Sequence, residues 1–231
     1  MNFFEKSMLY RIYVNRPESE QMVILCSLFS VFMVGFRIVY TGNLLFIFLI
    51  WNLFLAFVPY MISKLLARYL QCRGVVFFPV VFVWLLFIPN TFYIITDLFH
   101  LNMNEDVPLW YDLALILSFV WSGLLLGVLS VREMQKIIAV RLGKSFEAFF
   151  VIPVMFLNGL GIYVGRYLRF NSWDIVADPF GLTREMIYLF VHPLRNRIDW
   201  SMILCYGVLV GLIYITFNKL GRSVATEKVT I

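Results

Sequence analysis

Six long apolar runs constrain the fold of this chain more than any other feature of its sequence. They cover residues 22–40, 44–62, 75–95, 113–131, 148–164 and 200–217. Each is close to the roughly 20 residues that an α-helix needs to cross the hydrocarbon core of a bilayer. Only 14% of the residues are charged, whereas about a quarter are charged in a soluble domain. We therefore predict an all-α membrane protein with six transmembrane helices and exclude a soluble domain.

The polar segments at the two ends of the sequence are short. We expect residues 1–21 to form a cytoplasmic N-terminal segment, because charged residues precede the first apolar run and no small-residue cleavage site follows it. Residues 22–218 would then form a six-helix membrane domain, and residues 219–231 a cytoplasmic tail. The turn Thr41-Gly42-Asn43 is so short that the first two helices should form an antiparallel hairpin.

The distribution of Lys and Arg predicts the side of the membrane on which each loop lies, because positive residues favour the cytoplasm. With the N-terminus inside, thirteen of the nineteen Lys and Arg residues fall on inner segments and six on outer ones. We therefore expect both termini in the cytoplasm. Among the outer cations, Arg37 should extend to the lipid headgroups. The other five follow the fifth run and are Arg166, Arg169, Arg184, Arg195 and Arg197.

This topology brings several polar side chains to the same outer surface. Pro89 and Asn90 interrupt the third run, Asp97 and His100 follow at i and i+3, and Asp112 lies where the fourth run begins. The i, i+3 spacing puts Asp97 and His100 on one face of a helix. The candidate catalytic residues are Asp97, His100 and Asp112. The candidate substrate-binding residues are Asn90, Arg166, Arg169, Asn171, Asp174 and His192.

Asp97 and His100 are compatible with two kinds of chemistry. An imidazole beside a carboxylate can ligate zinc or iron, or it can form a hydrogen-bonded acid–base pair. The sequence has only two histidines and no HExxH spacing, so we predict the hydrogen-bonded site, shared with Asp112, and assign no metal ligand. A solvated helix end at the membrane surface would show the same two residues.

Pro89 and the arginines after the fifth run also have purely structural explanations. Proline removes a backbone hydrogen bond and kinks a helix, and Asn90 could cap the helix that follows. A helix broken inside a membrane exposes backbone groups, which are tolerated only where a cavity or neighbouring protein supplies partners. Arg166 and Arg169 could anchor the helix end at the headgroups, or they could hold a phosphate or carboxylate group.

Glycine pairs at i and i+4 occur in each of the last three predicted helices. They are Gly123 and Gly127, Gly161 and Gly165, and Gly207 and Gly211. Small residues at this spacing allow helices to approach closely. We expect helices four to six to form a tight core, although the same faces could instead pair two copies of the chain in a homo-oligomer.

Other features limit the classes of function. The cysteines Cys26, Cys72 and Cys205 are far apart and form no CxxC pair, which argues against a disulfide framework or a thiolate metal site. No basic stripe interleaved with aromatic residues lies outside the apolar runs, so we exclude nucleic acid as a partner. The segment 132–144 alternates cations with apolar residues, and it could lie on the inner membrane surface or extend a helix.

The motifs around the third and fifth runs resemble those of a known family. Residues 84–101 read WLLFIPNTFYIITDLFHL, residues 108–112 read PLWYD, and residues 165–174 read GRYLRFNSWD. These segments resemble the bacterial integral membrane family catalogued as domain of unknown function 1361, which usually shows Ala-Pro where this chain has Thr91-Phe92. The resemblance covers most of the chain after the first hairpin. It implies a multi-pass protein of the bacterial plasma membrane, and it implies no established activity.

We expect an outward-facing polar site that binds or acts on an anionic lipid or glycan component of the cell envelope. In an enzyme, Asp97, His100 and Asp112 would carry out the chemistry while Arg166 and Arg169 held the anion. In a non-enzymatic transporter or assembly partner, the same residues would line a pathway or contact a neighbouring protein. The sequence leaves the cofactor open between these alternatives.

Overall fold

The computed structural model describes residues 17–69, 74–102 and 106–227. Over these residues the secondary structure is helical, without a strand. The predicted N-terminal segment lies mostly outside the described residues, as do Cys72 and residues 228–231 of the predicted tail. The elements are α1 (Glu18–Thr41), α2 (Phe48–Arg68), α3 (Gly74–Phe87), α4 (Pro89–Tyr93), the 3-10 helix η1 (Ile94–His100), α5 (Leu109–Leu142), α6 (Lys144–Arg166), α7 (Asp174–Ala177), α8 (Pro179–Val191) and α9 (Arg197–Glu227).

Six segments of the described chain are long and apolar enough to cross a membrane. They are Glu18–Thr41, Phe48–Arg68, Val75–His100, Leu109–Leu142, Lys144–Arg166 and Arg197–Gly221. The third of them joins α3, α4 and η1 into one interrupted span. The predicted fold class, an all-α membrane protein with six transmembrane helices, is confirmed.

The predicted turn after α1 is present. Gly42 has a φ of 67° and its N–H donates to the carbonyl of Ile38 at 2.8 Å, a left-handed ending that glycine adopts easily. An ion pair of 3.0 Å between Lys64 and Glu20 joins the other ends of α1 and α2. The two helices are therefore antiparallel, although α1 packs mainly on α5.

Helix α5 is the central element of the bundle. It has 34 residues, and its apolar window is more buried than that of the other five spans. It continues to Leu142, and only Gly143 separates it from α6. Met134, Ile137 and Ile138 are buried against the rest of the core. The segment 132–144 therefore extends a transmembrane helix, and the alternative of a separate helix on the membrane surface is wrong.

The third span is broken at Pro89, as the sequence predicts. Proline has no N–H to continue the hydrogen-bond ladder of α3, so carbonyl groups near the break need other partners. Ser172 Oγ donates to the carbonyl of Leu86 at 2.9 Å, and Asn90 Nδ2 donates to that of Phe87 at 3.1 Å. Asn90 thus binds backward to the end of α3, and the expectation that it caps the following helix is wrong.

The glycine pairs of α5 and α6 accommodate α4. A Cβ atom on Gly127 would lie 2.6 Å from Thr91 Oγ1, and one on Gly161 would lie 2.5 Å from the ring of Pro89. Gly123 is equally close to Thr91 and Ile94, and Gly165 is close to Tyr93. These glycines therefore hold α4 between α5 and α6, which corrects the expectation that they pack the last three transmembrane helices against one another.

The third glycine pair lies at the contact between α6 and α9. A Cβ atom on Gly207 would lie 3.3 Å from the carbonyl oxygen of Met155, whereas Gly211 has only ordinary contacts with the same residue. Gly159 of α6 faces Gly207 across this contact. The glycine faces singled out in the sequence are thus occupied by contacts within the chain.

Candidate functional site

A cavity of about 380 Å³ lies beside the break in the third span. Its walls come from α2, α3, α4, α6, α7, α8 and the loop after α6, and they are mostly aliphatic and aromatic. Five side chains with polar atoms line it: Asn52, Asn90, Tyr93, Asn171 and Ser172. Predominantly apolar walls with a few placed polar groups are typical of small-molecule sites in proteins.

Asn90 and Ser172 form the connected polar part of this cavity. Asn90 Nδ2 donates to Ser172 Oγ at 2.9 Å and to the carbonyl of Phe87 at 3.1 Å. Ser172 in turn donates to the carbonyl of Leu86. The loop after α6 is thereby fastened to the broken end of α3, which brings the predicted residue Asn90 and the predicted residue Asn171 to one cavity.

Asp97 lies behind the cavity and contacts it through Asn52. The Asp97 side chain is 1% exposed, and its Oδ2 accepts a hydrogen bond from Asn52 Nδ2 at 2.9 Å. A carboxyl group buried this deeply requires hydrogen-bond partners. Asn52 lines the cavity and Asp97 does not, so Asp97 is connected to the site through its hydrogen bond with Asn52.

Asn52 was not among the residues predicted for the site. It is the sole polar side chain between residues 44 and 58 of the sequence, within the second apolar run. An isolated amide in a transmembrane helix is costly unless it is hydrogen-bonded, and such residues usually face the bundle interior. The signal was therefore present in the sequence, but its partner on the third span could not be read from spacing.

Arg166 and Arg169 have different environments, although both follow the fifth apolar run. The Arg166 guanidinium lies 5.1 Å from the centroid of the Phe99 ring, and Arg166 follows Gly165 of the cavity wall. No carboxylate of a described residue lies within ion-pair distance of Arg166. Arg169 is exposed and has a φ of 60°. Arg166 is therefore the cation beside the site.

The chain can be placed in a family on the region that builds this cavity. The model of the family described as protein of unknown function (DUF1361) matches residues 51–213. The chain belongs to this family. The matched residues include every residue that lines the cavity, together with Asp97 and Arg166. Comparison with curated proteins and comparison with solved structures gave no match.

His100 and Asp97 of this DUF1361 protein are neighbours whose side chains form hydrogen bonds with other groups and not with each other. Nδ1 of His100 lies 3.2 Å from the backbone carbonyl oxygen of Asp97, and its ring packs on Phe48 at 4.9 Å between centroids. The carboxyl group of Asp97 faces Asn52 instead. The predicted alignment of the two residues at one helix end is present, but the structure places the Asp97 carboxyl on a different partner.

Asp112 has a different hydrogen-bond partner from Asp97. It forms a two-fold hydrogen-bonded ion pair with Arg37, with Nε to Oδ1 at 2.7 Å and Nη2 to Oδ2 at 3.1 Å. Arg37 is 1% exposed, so the expectation that it extends to the lipid headgroups is wrong. It lies outside the residues that the DUF1361 model matches, whereas Asp112 lies inside them.

The remaining predicted residues lie at the edge of the site. Asp174 Oδ2 accepts from the backbone N–H of Asn171 at 2.6 Å and from its side chain at 3.3 Å, which shapes the loop before α7. His192 is exposed at the end of α8 and packs on Tyr188, with 5.0 Å between ring centroids. Over the described residues, no three His, Cys, Asp or Glu side chains form a group that could hold a metal ion.

Proposed function

We propose that this protein binds an amphiphilic, negatively charged component of the bacterial cell envelope, such as an anionic lipid or a lipid-linked glycan. The cavity beside Pro89 is the observation that carries this proposal, because it combines a long apolar wall with one polar part. A hydrocarbon chain would lie against the wall, and the headgroup would lie among Asn52, Asn90 and Ser172. Binding without chemistry fits a carrier or an assembly partner in the envelope.

Arg166 supports the negative charge of the ligand. A guanidinium group beside a cavity, without a carboxylate of a described residue to neutralise it, is suited to a phosphate or carboxylate of the ligand. Its contact with Phe99 holds it at the end of α6, next to Gly165 of the cavity wall. Arg169, His192 and Asp174 would then lie on the surface around the site.

The proposed location is the bacterial plasma membrane, with the cavity close to the outer surface and both termini in the cytoplasm. The family resemblance supports the organism class, and the excess of Lys and Arg on the opposite segments supports the orientation. In this orientation the cavity would take its ligand from the outer leaflet, or deliver it there.

Photo-cross-linking tests the proposal. The purified full chain in phosphatidylcholine nanodiscs is irradiated with phosphatidylglycerol that carries a diazirine on one acyl chain. We expect labelling of the peptides that contain Leu157, Leu160 and Met186, and competition by unlabelled phosphatidylglycerol. Leu160→Trp should fill the cavity and remove this labelling. Leu212→Trp, on a lipid-exposed residue, is the matched control and should leave it unchanged. Cavity labelling that survives Leu160→Trp would contradict the proposal.

An enzyme acting on the same ligand is the second candidate. The observation in its favour is a buried carboxyl group, Asp97, one hydrogen bond away from the cavity, since such groups often serve acid–base chemistry. Asp97→Asn removes the acid while keeping the size of the side chain. Loss of turnover of a bound envelope lipid, with binding retained, would favour the enzyme; unchanged behaviour would favour a binding protein in which Asp97 orients Asn52.

A further inference from the structure

We infer that the polar part of the cavity recognises hydrogen-bond donors on its ligand, and that the headgroup is therefore polyhydroxylated, as in a glycerol or sugar headgroup. This inference rests on the proposed function of the same cavity and specifies the ligand class. It follows from which atoms of the lining side chains are already committed to protein partners.

Asn90 has both amide hydrogens committed. The carbonyl of Phe87 can only accept, so the group of Asn90 that contacts it must be Nδ2. Ser172 has one hydroxyl hydrogen, which it donates to the carbonyl of Leu86, so it must accept from Asn90. The atom of Asn90 left for a ligand is Oδ1, to which no described residue donates. Oδ1 is a hydrogen-bond acceptor.

Asn52 and Asn171 each have one amide hydrogen committed to the protein. Asn52 Nδ2 donates to the carboxyl group of Asp97, and Asn171 Nδ2 donates to the carboxylate of Asp174. The second N–H of each amide has no acceptor among the described residues. Each leaves its Oδ1 without a donor among the described residues. Three amide groups of the cavity thus offer carbonyl oxygens to a ligand.

Three amide oxygens line one cavity, together with the second N–H groups of Asn52 and Asn171 and the hydroxyl of Tyr93. A hydroxyl group both donates and accepts, so it can pair with all of these groups, whereas a phosphate or carboxylate oxygen only accepts and leaves the amide oxygens unpaired. A site built to hydrogen-bond a hydroxyl group discriminates strongly against an analogue that lacks it, because its own polar groups are then left unpaired. The anionic part of the ligand is accordingly directed to Arg166, and the hydroxylated part to the three amides.

Two matched pairs of probes test the inference on the full chain in phosphatidylcholine nanodiscs. Phosphatidylglycerol and phosphatidylmethanol carry the same charged phosphodiester and differ by the hydroxyl groups of the headgroup. Glucosyl diacylglycerol and its tetra-O-methyl derivative form the corresponding neutral pair. We expect the hydroxylated member of at least one pair to bind about tenfold more tightly than its partner. The pair that shows the preference identifies a glycerol or a sugar headgroup.

Variants connect the preference to the amides. Asn52→Leu with Asp97→Leu removes one acceptor together with its buried partner, and Asn171→Ala removes another at an exposed position. Either change should lower the ratio of affinities within the preferred pair at least about threefold. Ser118→Ala, at a residue of α5 that faces α1 away from the cavity, should leave the ratio unchanged. Asn171→Ala keeps the test valid if the double variant does not fold.

The outcomes separate this inference from the proposed function. Equal binding within both pairs would overturn the inference, as would a preference that survives both sets of variants. If the probes still bind in a manner that depends on Leu160 and Arg166, the proposed function stands without it. Binding that is insensitive to Leu160→Trp for all four probes would overturn both.

Discussion

At the scale of single residues, the ion pair between Arg37 and Asp112 shows how the membrane domain holds a buried charge. The guanidinium forms two hydrogen bonds with the carboxylate and lies 4.6 Å from the centroid of the Phe46 ring. Its Nη1 atom is buried and has no hydrogen-bond partner among the described residues. Desolvation of such a pair offsets most of its attraction, so its removal as a whole costs little while its disruption costs much.

This argument predicts unequal effects of single and double substitutions. Arg37→Met alone leaves the Asp112 carboxylate buried and unpaired, and it should lower the free energy of unfolding by about 3–5 kcal/mol. Arg37→Met with Asp112→Leu should change it by about 1 kcal/mol or less. Unfolding of the purified protein in detergent micelles measures both. Equal losses in the two variants would show that the pair contributes net stability.

Arg166 and Arg169 should differ in their effect on the proposed ligand. Arg166→Gln removes the cation beside the cavity and should weaken binding of phosphatidylglycerol about tenfold, the range of one charge-assisted hydrogen bond. Arg169→Gln changes an exposed residue and should alter the affinity less than about twofold. A lipid titration in nanodiscs measures both affinities. Equal losses would indicate that both arginines act through general surface charge.

The sequence identified some residues of the site but not their partners. Asn90, Asn171 and Arg166 could be predicted because they interrupt or follow apolar runs. The roles of Asn52 and Ser172, and the pairing of Arg37 with Asp112, depend on which spans are neighbours. The hydrogen bonds that define them join residues 45 to 86 positions apart in the sequence. The periodicity of a single helix carries no information about contacts between helices.

At the scale of elements, the broken third span packs closely against its neighbours because glycines on those helices leave room for it. Helix α4 has only five residues, so its own hydrogen bonds cannot stabilise it. The glycines of α5 and α6 allow its backbone and the Pro89 ring to approach at distances that a Cβ atom would prevent. Dispersion contacts and the polar network of Asn90 then fix the break, and with it the cavity.

Alanine substitutions test this packing. A Cβ on Gly127 would lie 2.6 Å from Thr91 Oγ1 and 2.7 Å from Phe92 Cζ, so Gly127→Ala should lower the free energy of unfolding by about 1–3 kcal/mol. Gly35 lies mid-helix in α1, with nothing within 4 Å of an added Cβ, and Gly35→Ala should not destabilise the protein. Thermal unfolding in detergent compares them. Equal melting temperatures would argue against close packing at Gly127.

The sequence predicted the six spans well because each apolar run is long and bounded by polar residues. It did not predict where the helices end. The charged residues after Val131 left open whether this segment extends the helix or lies on the membrane surface, and the extension is retained because Met134 and Ile137 continue the buried face of α5. The glycine spacing predicted close helix packing, but it did not identify α4 as the element that packs on these glycines. A helix of five residues is too short to be expected from the sequence.

At the scale of the whole molecule, α1 is attached to the rest of the bundle by polar contacts with α5. Arg37 pairs with Asp112, the Tyr111 hydroxyl donates to the carbonyl of Met33 at 2.8 Å, and the hydroxyl groups of Ser30 and Ser122 lie 3.3 Å apart. Helix α1 precedes the residues that the DUF1361 model matches. In a bilayer, the apolar surface of a helix gains little by leaving lipid for another apolar helix surface. These polar contacts therefore fix the position of α1.

The contacts at the two ends of the bundle agree with successive spans that run in opposite directions across the membrane. Arg37 and Asp112 meet at the end that contains the cavity and Arg166, whereas the pair of Glu20 and Lys64 and the contact of Arg141 with Phe77 lie at the other end. The second end carries most of the Lys and Arg residues, which predicts that it faces the cytoplasm. The cavity would then face outward.

Cysteine labelling from outside the cell tests this orientation in a background in which Cys26, Cys72 and Cys205 are replaced by alanine. A cysteine at Thr183, which is exposed on α8, should react with a membrane-impermeant maleimide, as should positions between 102 and 107. Cysteines at Arg141 and Lys228 should react only after the membrane is permeabilised, because the basic segments remain inside. Lys144, exposed beside Gly143, is the matched control for Thr183. Labelling at Lys228 in intact cells would reverse the topology, and the cavity would then draw its ligand from the cytoplasmic leaflet.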